Sequence, residues 1–471
     1  MTRSFFLAAG FAALGTVAAQ AADLPVRPYT KAPVLAPTYD WSGFYLGVNV
    51  GLGLGRDLSN ITNTTALQSS TAYLGPIGAI GGAQAGYNWQ TGDWVFGLET
   101  DIQGSAMRDD GFCGRFCRVG YFRFDQKLDW FGTTRARVGL ATGPVLSYVT
   151  GGVAYGGVQT DAAFFDFAPG TFSMKGTRTG WTVGSGVEAS LGGAWTAKIE
   201  YLYVDLGTQS ANFTAGGFNY AVSSEIREHI FRAGLNYRLG ANSSYAAAPV
   251  AYWSGFYVGA NVGGATARNQ TRFADTAAAP IFSETYNLMP DGYVGGLQAG
   301  YNWQSAAWGL GIEADFQGST QRDNKSCMLA CFLPPAGPQQ LNVDQRMNWF
   351  GTVRGRVGYS VGQTLFYGTG GLAYGNIKNN VTELAGPPFS VSFDHTKTGW
   401  TAGAGIETPF EFLGMFGKGW TTKTEYLYVD LGRVTDNFTN VGINQEISSR
   451  VTEHIFRGGI NYHFNTDVVT K

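Results

Sequence analysis

Through most of the chain, apolar and polar residues alternate with a period of two. Between Trp195 and Asp205, one parity carries Ala197, Ile199, Tyr201 and Tyr203, and the other Lys198, Glu200, Leu202 and Val204. Trp94, Phe96, Leu98 and Ile102 share a face opposite Glu99 and Asp101. Trp130, Ala136, Val138 and Leu140 stand against Asp129, Arg135 and Arg137, and Trp181, Val183, Val187 and Ala189 against Glu188. Phe231, Ala233, Leu235 and Tyr237 face away from Arg232, Asn236 and Arg238. Successive side chains of a strand point to opposite faces, so each segment predicts a strand with an apolar and a charged side.

Eight such strands are predicted in the first half, at about 43–53, 78–90, 94–105, 125–140, 145–156, 176–190, 195–207 and 223–239. Short turns lie near Thr91-Gly92-Asp93, Ala141-Thr142-Gly143-Pro144 and Leu191-Gly192-Gly193-Ala194. Long polar loops are expected at about 54–77, 106–124, 157–175 and 208–222. Antiparallel strands of ~10 residues, with short turns on one side and long loops on the other, are the pattern of an outer-membrane barrel. A β-sandwich also alternates. It does not account for glutamate and arginine recurring on one face, for aromatics near strand ends where bilayer girdles lie, or for the loop asymmetry.

The chain is written twice. Trp41-Ser-Gly-Phe-Tyr45 recurs at Trp253–Tyr257, Gly86-Tyr-Asn-Trp-Gln90 at Gly300–Gln304, and Trp130-Phe-Gly-Thr133 at Trp349–Thr352. Glu200-Tyr-Leu-Tyr-Val-Asp-Leu-Gly207 recurs at Glu425–Gly432. The 12 tryptophans form matched pairs, and the offset grows only between matched blocks, so the insertions belong to loops. A period this long is a domain duplication and not a solenoid. The expected organisation is a signal peptide (1–21), a periplasmic lead (22–40), a first barrel repeat (41–239), a linker (240–252), a second repeat (253–464) and a tail (465–471). The signal rests on Arg3, the apolar run Phe5–Ala19 and Ala19-Gln20-Ala21. An all-β architecture of two tandem eight-stranded transmembrane barrels is favoured; one sixteen-stranded barrel, which would enclose an aqueous channel, is the alternative.

Composition narrows the class. By length alone, 471 residues would make about three soluble domains, yet charged residues are only 14% and 68 residues are glycine. Thirty-two Lys+Arg against 34 Asp+Glu leave no basic excess for a nucleic-acid partner. A mean hydropathy of −0.07 excludes a transporter of many apolar helices.

Ala22-Asp-Leu-Pro25, Trp41-Ser-Gly-Phe-Tyr-Leu-Gly47, Gly86-Tyr-Asn-Trp89, Glu200–Gly207 and Phe231-Arg-x-Gly-Leu-Asn-Tyr237 resemble the RopB-type family. These are small outer-membrane barrel proteins related to the OmpA-like membrane domain, some of them hemin-binding. The resemblance covers nearly all of each copy and implies a barrel in the outer membrane. The chain differs in carrying two copies where a typical member has one, and in running seven residues past Phe464.

If the charged face points inward, the first repeat gathers Glu99, Asp101, Arg135, Arg137, Glu188, Lys198, Glu200 and Arg232 in its lumen. The second gathers Glu313, Asp315, Arg354, Arg356, Glu407, Lys423, Glu425 and Arg457. Four acids and four bases in each set allow complete pairing, which avoids the penalty of isolated buried ions. An eight-stranded barrel is just wide enough for side chains to fill it. The expected function is therefore a structural or surface-interaction protein with a plugged lumen. A porin for small hydrophilic solutes is the alternative, and a hemin-binding surface protein a weaker one. The partners expected are outer-membrane lipid and, through the long loops, extracellular ligands or host surfaces.

Cys113, Cys117, Cys327 and Cys331 fall in the second long loop of each copy. Export favours disulfides stapling each loop, with free thiols as the alternative; neither pair has the His-rich surroundings of a zinc site. His229 and His454 occupy equivalent places on the apolar face, as interfacial polar tips or, following the hemin-binding relatives, haem ligands. Gly51-Leu-Gly-Leu-Gly55 lacks the Gly-Lys-Ser/Thr ending of a phosphate loop. No nucleophile stands with a base, so no catalytic residue, cofactor or metal is expected.

Overall fold

The computed structural model describes residues 39–113, 122–164, 170–215, 217–240, 253–276, 283–326, 332–333, 337–338, 341–383, 388–409, 419–440 and 442–464. The expected signal peptide and nearly all of the lead, linker and tail lie outside these residues.

The first repeat comprises β1 (Gly43–Gly55), β2 (Asp57–Asn63), β3 (Gln68–Leu74), β4 (Ile77–Thr91), β5 (Trp94–Cys113), β6 (Phe122–Thr142), β7 (Val145–Phe164), β8 (Gly170–Gly192), β9 (Trp195–Ala215) and β10 (Phe218–Arg238). The second comprises β11 (Gly255–Thr266), β12 (Asn269–Asp275), β13 (Ser283–Leu288), β14 (Asp291–Ser305), β15 (Trp308–Ser326), the short loop ribbon β16 (Phe332–Leu333) and β17 (Gly337–Pro338), then β18 (Leu341–Val361), β19 (Thr364–Glu383), β20 (Ser390–Pro409), β21 (Trp420–Asn440) and β22 (Ile443–His463).

Each repeat closes on itself. All pairings are antiparallel between neighbours, and β1 pairs β10, with Val48 opposite Leu235, while β11 pairs β22, with Val258 opposite Tyr462. β2 and β3 continue β1 and β4 past interruptions at Arg56 and Gly75-Pro76, so each ring has eight strands. The sixteen-stranded alternative is thereby overturned, because β10 spends its edge on β1 and has none left to offer β11.

The short-turn half of every strand wears an apolar belt. Phe44, Leu46, Val48 and Val50 of β1, and Trp94, Phe96, Leu98 and Ile102 of β5, are roughly half to two-thirds exposed. A continuous apolar band of this extent has no place in water and is the lipid-facing wall. Seven of the tryptophans (Trp89, Trp94, Trp181, Trp195, Trp303, Trp308 and Trp400) stand on this outer surface.

Above the belt the strands do not stop. A strand of 20 residues rises about 66 Å, and at a tilt near 40° it stands about 50 Å tall, twice the ~25 Å belt. Much of what the alternation predicts as long loops is therefore strand: β5 runs to Cys113, β7 to Phe164 and β9 to Ala215. Here the chemistry of the two faces exchanges. Polar side chains face water, while Ile61, Leu74, Phe124, Met174, Tyr220 and Val222 pack inside. The apolar-out, charged-in signature of the belt is lost, which hides these strands from a search for that signature.

Bulges also reset the parity. In β6 the pairing with β7 skips between Leu128 and Trp130. Asp129 consequently points to solvent and not inward with Arg135 and Arg137. Trp41 and Trp253 depart from the girdle expectation too: each is 1% exposed.

Candidate functional site

The belt's inward positions bring together side chains that are far apart in sequence, because neighbouring strands in a small ring lean toward one axis. Glu99 and Asp101 come from β5, Arg135 and Arg137 from β6, Glu188 from β8, Lys198 and Glu200 from β9 and Arg232 from β10. Every one is at most 4% exposed. Arg135 Nη2 lies 2.5 Å from Glu99 Oε1 and 3.0 Å from Asp101 Oδ2, and its Nη1 lies 3.0 Å from Glu200 Oε1. Lys198 Nζ donates to Glu99 at 2.8 Å, Arg232 Nη2 to Asp101 at 2.8 Å and Arg137 Nη1 to Glu188 at 3.0 Å.

The second repeat reproduces this set. Arg354 meets Glu313, Asp315 (3.0 Å) and Glu425 (2.8 Å). Lys423 lies 2.8 Å from Glu313, Arg356 lies 2.7 Å from Glu407, and Arg457 bridges Asp315 and Glu425 at 2.8 Å each. Each carboxylate has at least one cation within a direct hydrogen bond, which is the condition for holding ions in a dry interior.

Four tyrosines missed by the charge count complete the network. The Tyr45 hydroxyl donates to Glu99 at 2.8 Å and Tyr148 to Glu200 at 2.9 Å. Tyr257 and Tyr367 donate to Glu313 and Glu425 at 2.7 and 3.1 Å. Tyr45 shares its parity with Asn49, so the signal for an inward position was present in the alternation.

The network is closed at both ends. Toward the long loops, Leu128, Phe131, Val158, Leu202, Val204 and Ile230 form an apolar layer across the first lumen, and Phe350, Leu427, Val429 and Ile455 do the same in the second. Toward the short turns, Trp41 lies across the mouth, its indole N–H donating to the Gly143 carbonyl at 3.1 Å and its backbone N–H to Gln90 at 2.6 Å. The Arg238 guanidinium sits 4.8 Å from the Tyr39 ring centroid beside it. In the second repeat His463 takes the place of Arg238, packing edge-on against Trp253 and reaching Glu407 at 3.1 Å.

The other histidines stand outside the charge layer. His229 and His454 sit on the outer wall at the top of the belt, each hydrogen-bonded to a tyrosine hydroxyl, Tyr201 at 2.8 Å and Tyr426 at 2.7 Å. His395 meets Asp436 above the belt. Among the described residues no cluster of three or more His, Cys, Asp or Glu could hold a metal ion. Cys117, Cys327 and Cys331 lie outside the described residues, and of Cys113 only the backbone, at the end of β5, is described.

Two closed rings with lipid-facing walls invite comparison with known barrels. The family described as Outer membrane protein beta-barrel domain matches residues 9–238 and again 239–464. The chain belongs to this family.

Among relatives, the 31 kDa outer-membrane immunogenic protein of Brucella melitensis is 38% identical over 240 residues, which is 49% of this chain and 97% of that protein. The 22 kDa outer membrane protein of Rhizobium leguminosarum is 32% identical over 189 residues, 40% of this chain and 75% of its own length. Both match about one repeat. Among solved structures, Neisserial surface protein A aligns with 42% of this chain and 98% of its own at 14% identity and a TM-score of 0.22. A FadL homologue of Pseudomonas aeruginosa aligns with 90% of this chain and 91% of its own at 10% identity and a TM-score of 0.28. The family protein is an outer-membrane β-barrel located in the outer membrane.

Proposed function

We propose that this family member is a structural and surface-presenting protein, with two plugged barrels that anchor extended strands and loops on the outside of the cell. The observation that carries the reading is the stacking inside each ring: an indole cork, a fully paired charge layer and an apolar layer follow one another along the axis. A hydrated solute would have to break buried ion pairs and then cross a dry layer, each step costing several kcal/mol. The strands' extension above the belt supports surface presentation, and so does the name of the Brucella relative, which calls that protein immunogenic. The RopB-type resemblance is of the same kind. No enzymatic step is assigned: every acid of the charge layer is held by a cation, while Glu228 and Glu453, buried on the same inward parity above it, pair with no cation among the described residues, and Glu453 meets Gln321 instead.

Planar-bilayer recording of the purified full chain tests the reading. The expected result is a quiet bilayer with the protein inserted and heat-modifiable on a gel. Stable single-channel steps of uniform size would replace this reading with a porin that passes small hydrophilic solutes.

A further inference from the structure

The outer walls of the two rings are not equally exposed all round. Phe231 belongs to the lipid-facing parity of β10, yet it is 7% exposed, against 53% for Leu46 on β1. What covers it is the other repeat. Phe231 packs on Tyr426 with ring centroids 5.5 Å apart, and its equivalent Phe456 packs on Tyr201, the equivalent of Tyr426, at 5.6 Å. Val187 and its equivalent Ile406 are buried in one cluster lower on the same seam. Just above the belt the exchange continues in charge: Arg268 pairs with Asp109, and its equivalent Arg56 with Asp323 at 3.3 Å, the equivalent of Asp109. Residue i meets j and j meets i throughout, which is the mark of a two-fold, self-complementary interface.

The symmetry is broken at the axis. Gly75 and Met289 are equivalent residues, each donating its backbone N–H to the buried aspartate of its own repeat, Asp109 at 2.7 Å and Asp323 at 2.8 Å. They face each other, and a Cβ on Gly75 would fall on the Met289 sulfur. The second repeat also carries Asp291 and Lys325 where the first has Ile77 and Gly111; Asp291 pairs with Arg56 across the seam.

We infer that the duplicated chain is a heterodimer of barrels joined in one polypeptide, in which the wall formed by the last three strands of each repeat is a docking face for the other repeat and prefers it to a second copy of itself. Two first repeats facing one another would leave a void where Met289 now sits. Two second repeats would drive Met289 against Met289. One glycine against one methionine fills the axis once, so the duplication has allowed the two faces to diverge into a knob and a hole. Lipid is excluded from this wall, and the two rings move as one body in the membrane.

The test uses the folded full chain with a protease site placed in the 241–252 linker. After cleavage in mild detergent the two halves are expected to run as one species, each still heat-modifiable. Gly75→Met is expected to release the halves at least ten-fold more readily on dilution, and the exchange Gly75→Met with Met289→Gly to restore their association. Separation of the wild-type halves on cleavage would overturn the inference, as would Gly75→Met halves that hold together like wild type. Should a variant fail to become heat-modifiable, the uncut chain carrying Phe231→Cys and Phe456→Cys provides the second reading. The Phe231 and Phe456 rings lie 6.1 Å apart between centroids, so a 231–456 cross-link made by a short bis-thiol reagent and found by peptide mapping supports the seam, and its absence from the folded, reagent-treated protein refutes it.

Discussion

Gly86 lies directly beneath the phenol of Tyr45, so that a Cβ on Gly86 would coincide with the ring's hydroxyl end. The same relationship holds between Gly300 and Tyr257. Both glycines point into the lumen, and the space they leave is what allows each tyrosine to lean across and reach Glu99 or Glu313. Much of the glycine in this chain thus serves the inside of the wall, where large charged and phenolic groups need room, as well as its turns.

Gly86→Ala is accordingly expected to push the Tyr45 ring aside and cost about 1–3 kcal/mol through overpacking, read as a lower urea midpoint for the heat-modifiable band. Tyr45→Phe keeps the ring and removes only a hydrogen bond to a charged group, about 1.5–3 kcal/mol. The double variant Gly86→Ala/Tyr45→Phe should cost less than the sum of the two, because both act on one contact.

Arg354 holds three carboxylates at once, so Arg354→Leu leaves Glu313, Asp315 and Glu425 short of a cation in a dry interior. Breaking a buried pair by removing one partner costs about 3–5 kcal/mol. The expected reading is a marked fall in the unfolding midpoint in detergent, much larger than for Arg123→Leu, whose ion pair with Asp110 is solvent-exposed. Equal effects of the two variants would count against a stabilising charge layer.

Ala306 occupies the left-handed region at φ 53° in the short turn after β14, where the first repeat has Gly92 at φ 59°. A non-glycine residue there costs about 1–2 kcal/mol. Ala306→Gly should therefore raise the thermal midpoint, while Gly92→Ala should lower it by a similar amount; calorimetry of both in the same detergent checks the pair.

Lys325 stands above the belt at the seam, and burial pushes its pKa down to about 8, against the pull of Asp323 and Asp109 and reinforced by Arg268 and Arg56. An ordinary lysine titrates near 10.4. Between these values the unfolded chain holds the proton more tightly than the folded one, so stability rises with pH across that window. Thermal midpoints at pH 7.5 and 10 should show a gain for the wild type that is smaller in Lys325→Met. An identical gain in the variant would remove Lys325 from the account.

The barrel itself was legible in the alternation, since Trp94, Phe96 and Leu98 against Glu99 and Asp101 already state which side meets lipid. The extensions above the belt were not, because Phe124, Met174 and Tyr220 turn inward there and the outward face becomes polar, as in any strand standing in water. Asp129 misled for a local reason: its bulge shifts the parity by one residue, and a period-two reading has no means of registering an extra residue. Trp41 looked like another girdle tryptophan because sequence shows closeness to a strand end and not which side of the wall the residue enters.

The sequence by itself determined the class, the solvent on each face, the duplication and the balanced charge in each copy, because all four are written in local periodicity or in direct repetition. Only the tertiary structure decided that each copy closes on itself, that three carboxylates converge on Arg135, and that Gly75 meets Met289 across the seam. Those depend on register between strands and on the packing of one ring against another, which bring together residues with no regular separation along the chain.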